Sequence, residues 1–173
     1  PTADVSIDTI PQGALPAHEY LVRRPAHYVL SSTTTVDAPL EDTFAFFSKP
    51  ENLGLITPSV MQFEITGTPD RIEPGAQIDY RITVQGVPMR WKTRIARWEP
   101  GVCFVDSQER GPYRSWYHQH AFRAEGSRTV MEDRVYYAPP LGILGRMAHA
   151  LFIKPMLRHI FQYRQDVIRL RFG

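Results

Sequence analysis

Two histidines separated by one residue, His118 and His120, are the side chains of this sequence best suited to chemistry. The surrounding run, SWYHQHAFR, is rich in aromatic residues and predicts a β-strand. Successive side chains of a strand point to opposite faces, so both imidazoles share a face with Trp116 and Phe122. We therefore expect two titratable rings on an aromatic, inward-facing surface.

A carboxylate on the next predicted strand completes this candidate site. Asp133 shares a face with Met131 in a strand expected over residues 128–137, after a turn at 124–127. The register set by that turn places Asp133 roughly opposite His118.

Two earlier strands add further polar side chains to the same face. Their alternation places Thr93 beside Asp106, and Trp91 beside Gln108. Inside the aromatic walls we therefore expect a polar stripe that consists of Thr93, Asp106, Gln108, His118, His120 and Asp133.

Three interpretations of this stripe stay open. It can be a structural network, because buried polar side chains usually satisfy each other. It can orient a small ligand in an otherwise apolar pocket. It can also be catalytic, either with His118 and Asp133 as a general acid–base pair or with the His-x-His pair and an aspartate around a metal.

The elements that must position the stripe follow from the periodicity of the chain. A β-branched run at 27–36 predicts the first strand, and residues 40–47 and 52–57 predict two short helices. Six more strands are expected at 61–66, 77–84, 87–98, 102–108, 113–123 and 128–137. From Leu141 the apolar period becomes helical, and Pro155 separates a short segment from a main helix over about 155–171.

This order of elements predicts an α+β domain. We expect a seven-stranded curved antiparallel sheet wrapped around a long C-terminal helix, with two short helices after the first strand. Such a sheet has more inner surface than one helix can fill, which predicts a cavity beneath the helix. Residues 1–26 are rich in proline and predict an extended arm or tail, so the domain is expected over 27–173.

Composition excludes several classes of protein. A net charge of +2 lacks the strong positive field of a nucleic-acid binder. The sequence contains no run of about 20 apolar residues, so no transmembrane helix is predicted. The sequence shows no pattern of a signal peptide, and its one cysteine, Cys103, allows no intrachain disulfide. A cytoplasmic protein is therefore expected, and no cofactor or metal is assigned.

Residues 28–172 resemble the helix-grip fold of the START and birch-pollen-allergen-like superfamily, often called SRPBCC. The opening VDAPLEDTFAFFSKPENL followed by LITP is similar to the usual start of that family. The segments IDYRITVQGVPMRW, MEDRVYY and IFQYRQDVIRL resemble a bacterial branch of proteins similar to polyketide cyclases and lipid carriers. The resemblance supports the fold more strongly than any one function, because such folds host many functions.

We therefore expect a protein that binds or carries a small hydrophobic or amphipathic molecule, such as a lipid, polyketide or isoprenoid. The alternative is a cyclase, aromatase or dehydratase that uses His118 and Asp133, with His120 as a further catalytic candidate. The oligomeric state stays open. The expected ligand-binding residues are Tyr80, Trp91, Thr93, Asp106, Gln108, Trp116, His118, His120, Met131, Asp133, Met156 and Ile160.

Overall fold

A computed structural model describes residues 4–173, which form one antiparallel sheet with helices packed on it. The strands are β1 (Val5–Thr9), β2 (Tyr28–Val36), β3 (Glu64–Gly67), β4 (Gln77–Val84), β5 (Val87–Glu99), β6 (Cys103–Arg110), β7 (Ser115–Glu125) and β8 (Arg128–Ala138). Their order across the sheet is β1-β2-β8-β7-β6-β5-β4-β3. From β3 to β8, neighbours in the sequence are therefore neighbours in the sheet.

The helices lie between and after the strands. They are α1 (Glu19–Arg23), α2 (Leu40–Phe47), α3 (Gly142–Ala148) and α4 (Lys154–Phe172), with 3₁₀ turns at Pro50–Ile56 and Ser59–Met61. A π-helical turn, His149–Ile153, joins α3 to α4. Pro155 lies in the first turn of α4, where its missing N–H costs no hydrogen bond, so the predicted division at this proline is confirmed.

Local sequence explains the hairpin between β4 and β5. Gln85 and Gly86 both adopt positive φ, at 49° and 80°, and Val84 pairs with Val87. Two successive left-handed residues form the tight turn whose twist matches that of a β-hairpin. The predicted two-residue turn thus sets the register of β4 against β5.

Over residues 4–173 the sheet has eight strands, so the prediction of seven was wrong by one. The additional strand is β1, which pairs with β2 from Val5↔Ser32 to Thr9↔Tyr28 and buries Ile7. Its five residues were hidden among the prolines of the predicted arm, because a short edge strand has too few alternating positions to stand out. Residues 1–3 of that arm lie outside the described residues.

The rest of the N-terminal segment covers the outer face of the sheet. Leu21 of α1 packs with Val105 of β6 and Tyr117 of β7, which alternate with the inward-facing residues of those strands. The Tyr20 hydroxyl accepts a hydrogen bond from the Trp116 backbone N–H and donates one to the Gln108 carbonyl. The expected extended arm is thus packed along the sheet over the part that the structure describes.

Two apolar clusters fill the inner face of the sheet, which α4 covers. One includes Phe44 of α2, Phe122 and Ile168. The other includes Trp116 and Phe161. On β7, Trp116 and Phe122 therefore belong to different clusters, and the two histidines lie between them. Within residues 4–173 no helix is long and apolar enough to cross a membrane.

Candidate functional site

The two histidines project from β7 onto the inner face of the sheet, as the alternation predicted. Their rings lie side by side, with centroids 3.7 Å apart and an interplanar angle of 32°. Both are almost completely buried, with 6% of His118 and 3% of His120 exposed. The neighbouring positions Tyr117 and Gln119 point to the other face, so the strand alone fixes this pairing of rings.

Each imidazole lies between two carboxylates. On one side, Asp133 Oδ1 is 2.8 Å from His118 Nε2 and 3.0 Å from His120 Nδ1. On the other side, Asp106 Oδ2 is 2.9 Å from His120 Nε2 and 3.9 Å from His118 Nδ1. Asp133 is fully enclosed, whereas 21% of the Asp106 side chain is exposed. The cluster therefore has a closed side at Asp133 and an accessible side at Asp106.

An arginine from α4 completes the cluster. Arg164 Nη2 is 3.5 Å from Asp133 Oδ1, and the guanidinium packs over the rings of Phe47 and Phe161. The sequence analysis did not identify this residue. The signal was its spacing, because Leu157, Phe161, Arg164 and Ile168 follow the buried stripe of one helical face.

The protonation states follow from these contacts. Burial and the adjacent His120 lower the pKa of His118, against the opposing effect of Asp133. Burial also disfavours charge on His120, but hydrogen bonds to Asp106 and Asp133 outweigh it and raise the pKa of His120. Of the two rings, His120 therefore holds a proton more readily than His118 does.

Both carboxylates stay ionised in spite of burial. Burial favours the neutral form of Asp106, but the hydrogen bond with His120 and the nearby charges lower its pKa. The same competition, with Arg164 as the largest favourable contribution, holds the pKa of Asp133 well below its usual range. When His120 carries a proton, two carboxylates, one guanidinium and one imidazolium sum to zero, so the buried cluster is then electrically balanced.

The accessible side of the cluster faces a cavity of about 360 Å³ between the sheet and α4. Apolar and aromatic side chains from β4, β5, α2 and α4 line most of it, including Tyr80, Trp91 and Phe161. Its polar wall consists of Thr93, Asp106, His118, His120 and Arg164 together with a few residues near Ser48. A volume at the lower end of the range for small-molecule sites suits a compact ligand.

Most residues predicted for ligand binding line this cavity. Those that do are Tyr80, Trp91, Thr93, Asp106, Trp116, His118, His120, Met156 and Ile160. Gln108, Met131 and Asp133 are not among the lining residues. Gln108 instead bonds with its amide to the backbone of Tyr113, Met131 is enclosed in the apolar core, and Asp133 lies behind the histidines.

Two cross-strand pairings differ from those that the sequence predicted. Asp133 pairs with His120 rather than His118, and Thr93 pairs with Gln108 rather than Asp106. An irregularity in the β5–β6 pairing between Ile95 and Arg97, on the hairpin side of Thr93, shifts the second register, and hairpin spacing alone does not reveal such a bulge. The predicted contacts still form diagonally: His118 reaches Asp133, and Thr93 Oγ1 lies 3.5 Å from Asp106 Oδ1.

Solved structures with the same fold come from several organisms. TTHA0849 from Thermus thermophilus is 16% identical, with a TM-score of 0.64, over 81% of this chain and 96% of that one. A START superfamily protein from Mycobacterium smegmatis is 16% identical, with a TM-score of 0.63 and the same coverages. Ara h 8.0201 is 12% identical, with a TM-score of 0.55, again over 81% and 96% of the chains.

These identities establish the helix-grip fold alone. Among curated proteins, none matches this sequence significantly. The sequence profile described as polyketide cyclase / dehydrase and lipid transport matches residues 36–161. That match runs from the end of β2 into α4 and includes both histidines and both aspartates of the cluster. The chain therefore belongs to the polyketide cyclase/dehydrase and lipid transport family, and it has the helix-grip fold.

Proposed function

We propose that this protein binds a small amphipathic molecule in the cavity between the sheet and α4. The observation that carries the proposal is a mostly apolar cavity of about 360 Å³ with one polar wall. Apolar walls stabilise a ligand by burying its surface, and a few placed polar groups fix its orientation. The ligand's apolar body would contact Trp91 and Ile160, and its polar group would face Asp106 and His118.

The volume limits the size of that ligand. A water molecule occupies about 30 Å³ in the liquid, so the cavity has the space of roughly a dozen waters. One or two fused rings or a short acyl chain match this space better than a two-chain lipid. We infer binding in the cytoplasm, because a single buried cysteine suits a reducing compartment.

Filling the cavity tests the proposal. Ile160 of α4 lines the cavity, so Ile160→Trp places a bulky ring inside it. We expect this variant to bind an amphipathic aromatic anion, 1-anilinonaphthalene-8-sulfonate, at least about 10-fold more weakly, since a filled site excludes the probe sterically. Probe fluorescence gives the affinity, and native mass spectrometry gives the stoichiometry.

A matched variant on the same helix controls for the added ring. Leu170 is 87% exposed, so Leu170→Trp adds the same side chain outside the cavity and should leave binding unchanged. Equal affinities for the two variants, with both folded by circular dichroism, would show that the probe binds elsewhere and would contradict the proposal.

A second candidate function is acid–base catalysis in the same cavity. His118 lines the cavity, is neutral, and is oriented by Asp133 at 2.8 Å, which is the arrangement of a general base with its positioning carboxylate. A proton α to a carbonyl would be the natural target. Exchange of that proton in D₂O, followed by NMR on an acetoacetyl thioester, should be about 100-fold slower with His118→Gln. Equal exchange with and without the protein would exclude this candidate for that substrate class.

A further inference from the structure

We propose that Asp106, His118 and His120 bind a divalent transition-metal ion, such as Zn²⁺ or Fe²⁺, at the polar wall of the cavity. One ligand atom from each of these three residues lies within 4.8 Å of the others. A metal ion about 2.1 Å from each ligand atom holds those atoms about 3.4 Å apart. Asp106 Oδ2 lies 2.9 Å from His120 Nε2 and 3.9 Å from His118 Nδ1, and these two distances bracket that value. Two imidazoles and one carboxylate are a donor set that such ions prefer.

The two rings already present the correct nitrogens. His118 Nδ1 and His120 Nε2 both face Asp106, and the opposite nitrogens, His118 Nε2 and His120 Nδ1, both face Asp133. A metal-binding histidine usually donates its other ring N–H to a carboxylate, which fixes the ring and increases its basicity. Asp133 is placed to perform that role for His118, whereas His120 Nδ1 lies 3.0 Å from the same carboxylate oxygen and 3.4 Å from Arg164 Nη2.

His118 provides a second argument. With its Nε2–H donated to Asp133, a neutral ring carries its lone pair on Nδ1. That lone pair faces the Asp106 carboxylate 3.9 Å away, too far for a hydrogen bond. Two acceptors that face each other across this gap repel, whereas a cation between them is attracted to both. The side chain of Asp106, unlike that of Asp133, is accessible from the cavity, which gives an ion a way in.

The charges of the site also define what else the ion would bind. A divalent ion with Asp106, Asp133 and Arg164 gives a net charge of +1 when both histidines are neutral. Three protein ligands leave coordination positions open on the cavity side. A carboxylate, enolate or hydroxide in the cavity would neutralise the site. The ion would therefore select ligands with an anionic oxygen.

Metal uptake by untagged, chelator-treated protein tests the inference. Calorimetry with Zn²⁺ should give one ion per chain, and Co²⁺ should produce the visible absorption bands of a site with nitrogen and oxygen ligands. Asp106→Asn keeps the shape of the side chain but removes its charge. We expect it to weaken Zn²⁺ binding by at least about 100-fold, more than loss of an outer-shell contact does. Thermal unfolding in chelator verifies that the variant is folded.

The matched control is His159→Ala, because His159 is an exposed histidine of α4 away from the cluster. It should bind Zn²⁺ as the unmodified chain does. The inference is overturned if neither ion binds, if Asp106→Asn binds as tightly as the unmodified chain, or if His159→Ala is the variant that loses binding.

Coordination by His118 Nδ1 also excludes its use as a free base. If the thioester exchange described above occurs through acid–base catalysis alone, chelator leaves its rate unchanged, while an exchange that needs the ion is abolished by chelator. Cavity binding of the anionic probe is measured separately with Ile160→Trp, so failure of the metal site and failure of the binding function give different results.

Discussion

At the scale of single residues, Asp133 has the largest energetic role in the cluster. Its Oδ1 contacts His118, His120 and Arg164 within 3.5 Å, and almost none of its side chain is exposed. Removal of one partner from a buried ion pair leaves an uncompensated charge in a medium of low dielectric. Both the stability of the fold and the chemistry of the cavity therefore depend on this carboxylate.

We predict that Asp133→Asn lowers the free energy of unfolding by about 3–5 kcal/mol, because Arg164 is left buried without its anion. Urea unfolding of chelator-treated protein at neutral pH measures the loss. The control is Glu132→Gln on the opposite face of β8, which should change stability by less than about 0.5 kcal/mol. Equal effects of the two variants would mean that the ion pair contributes nothing specific.

At the scale of elements, the π-helical turn between α3 and α4 places His149 in the core. His149 Nε2 lies 2.7 Å from the Tyr137 hydroxyl, and its ring stacks on Tyr28 at 3.7 Å. Burial and the nearby Lys154 lower the pKa of His149. The unfolded chain therefore binds this proton more readily than the folded one does.

The consequence is a pH dependence of stability with a defined sign. A histidine whose folded pKa is lowered contributes stability above its unfolded pKa of about 6.5, and that contribution is lost progressively as the pH falls from this value through the folded pKa. When the pH is lowered from about 7.5 to about 5.5, one unit on either side of 6.5, the free energy of unfolding should fall less for His149→Gln than for the unmodified chain. The difference is limited to about 1.4 kcal/mol per pH unit for one proton.

Urea unfolding at both pH values measures this difference. Glutamine can keep a hydrogen bond to Tyr137 but does not titrate, so the comparison isolates the proton. The groups that face His149 are Tyr28 on β2, Tyr137 on β8 and Lys154 on α4. Identical slopes in the two proteins would contradict the prediction.

At the scale of the whole molecule, the sheet is covered on both faces. The inner face holds α4 and the cavity, and the outer face holds the N-terminal segment through Leu21 and Tyr20. The same strands therefore shape a ligand cavity on one side and bind the N-terminal segment on the other. Residues before β2 therefore pack directly against β7, the strand that carries both histidines.

We predict that Leu21→Ala lowers the free energy of unfolding by about 2–5 kcal/mol, because Leu21 is 2% exposed and its loss leaves a cavity against Tyr117. Val22→Ala is the matched control, since Val22 is 75% exposed and should change stability by less than about 0.5 kcal/mol. Urea unfolding measures both. If Leu21→Ala were as harmless as Val22→Ala, the N-terminal segment would not be packed on the sheet in solution.

Patterns of short range were predictable from the sequence. Alternation placed His118 and His120 on one inward face, and the change of period at Leu141 and the proline at 155 indicated the C-terminal helix. Helix α2 and strand β4 have the predicted bounds, because the signals that limit them, Pro39 before α2 and the turn at Gln85 and Gly86 after β4, are local.

Only the tertiary structure decided what lies between distant elements. The bulge in the β5–β6 pairing, the additional strand β1 and the buried position of Arg164 depend on contacts between residues far apart in the chain. The sequence by itself determined which faces are apolar and which side chains point inward, because that is a property of each strand or helix alone. Alternation along β6, β7 and β8 predicted Asp106 and Asp133 on the same face as the two histidines, whereas the pairing of Arg164 with Asp133 depended on the packing of α4 against the sheet, which no local pattern contains.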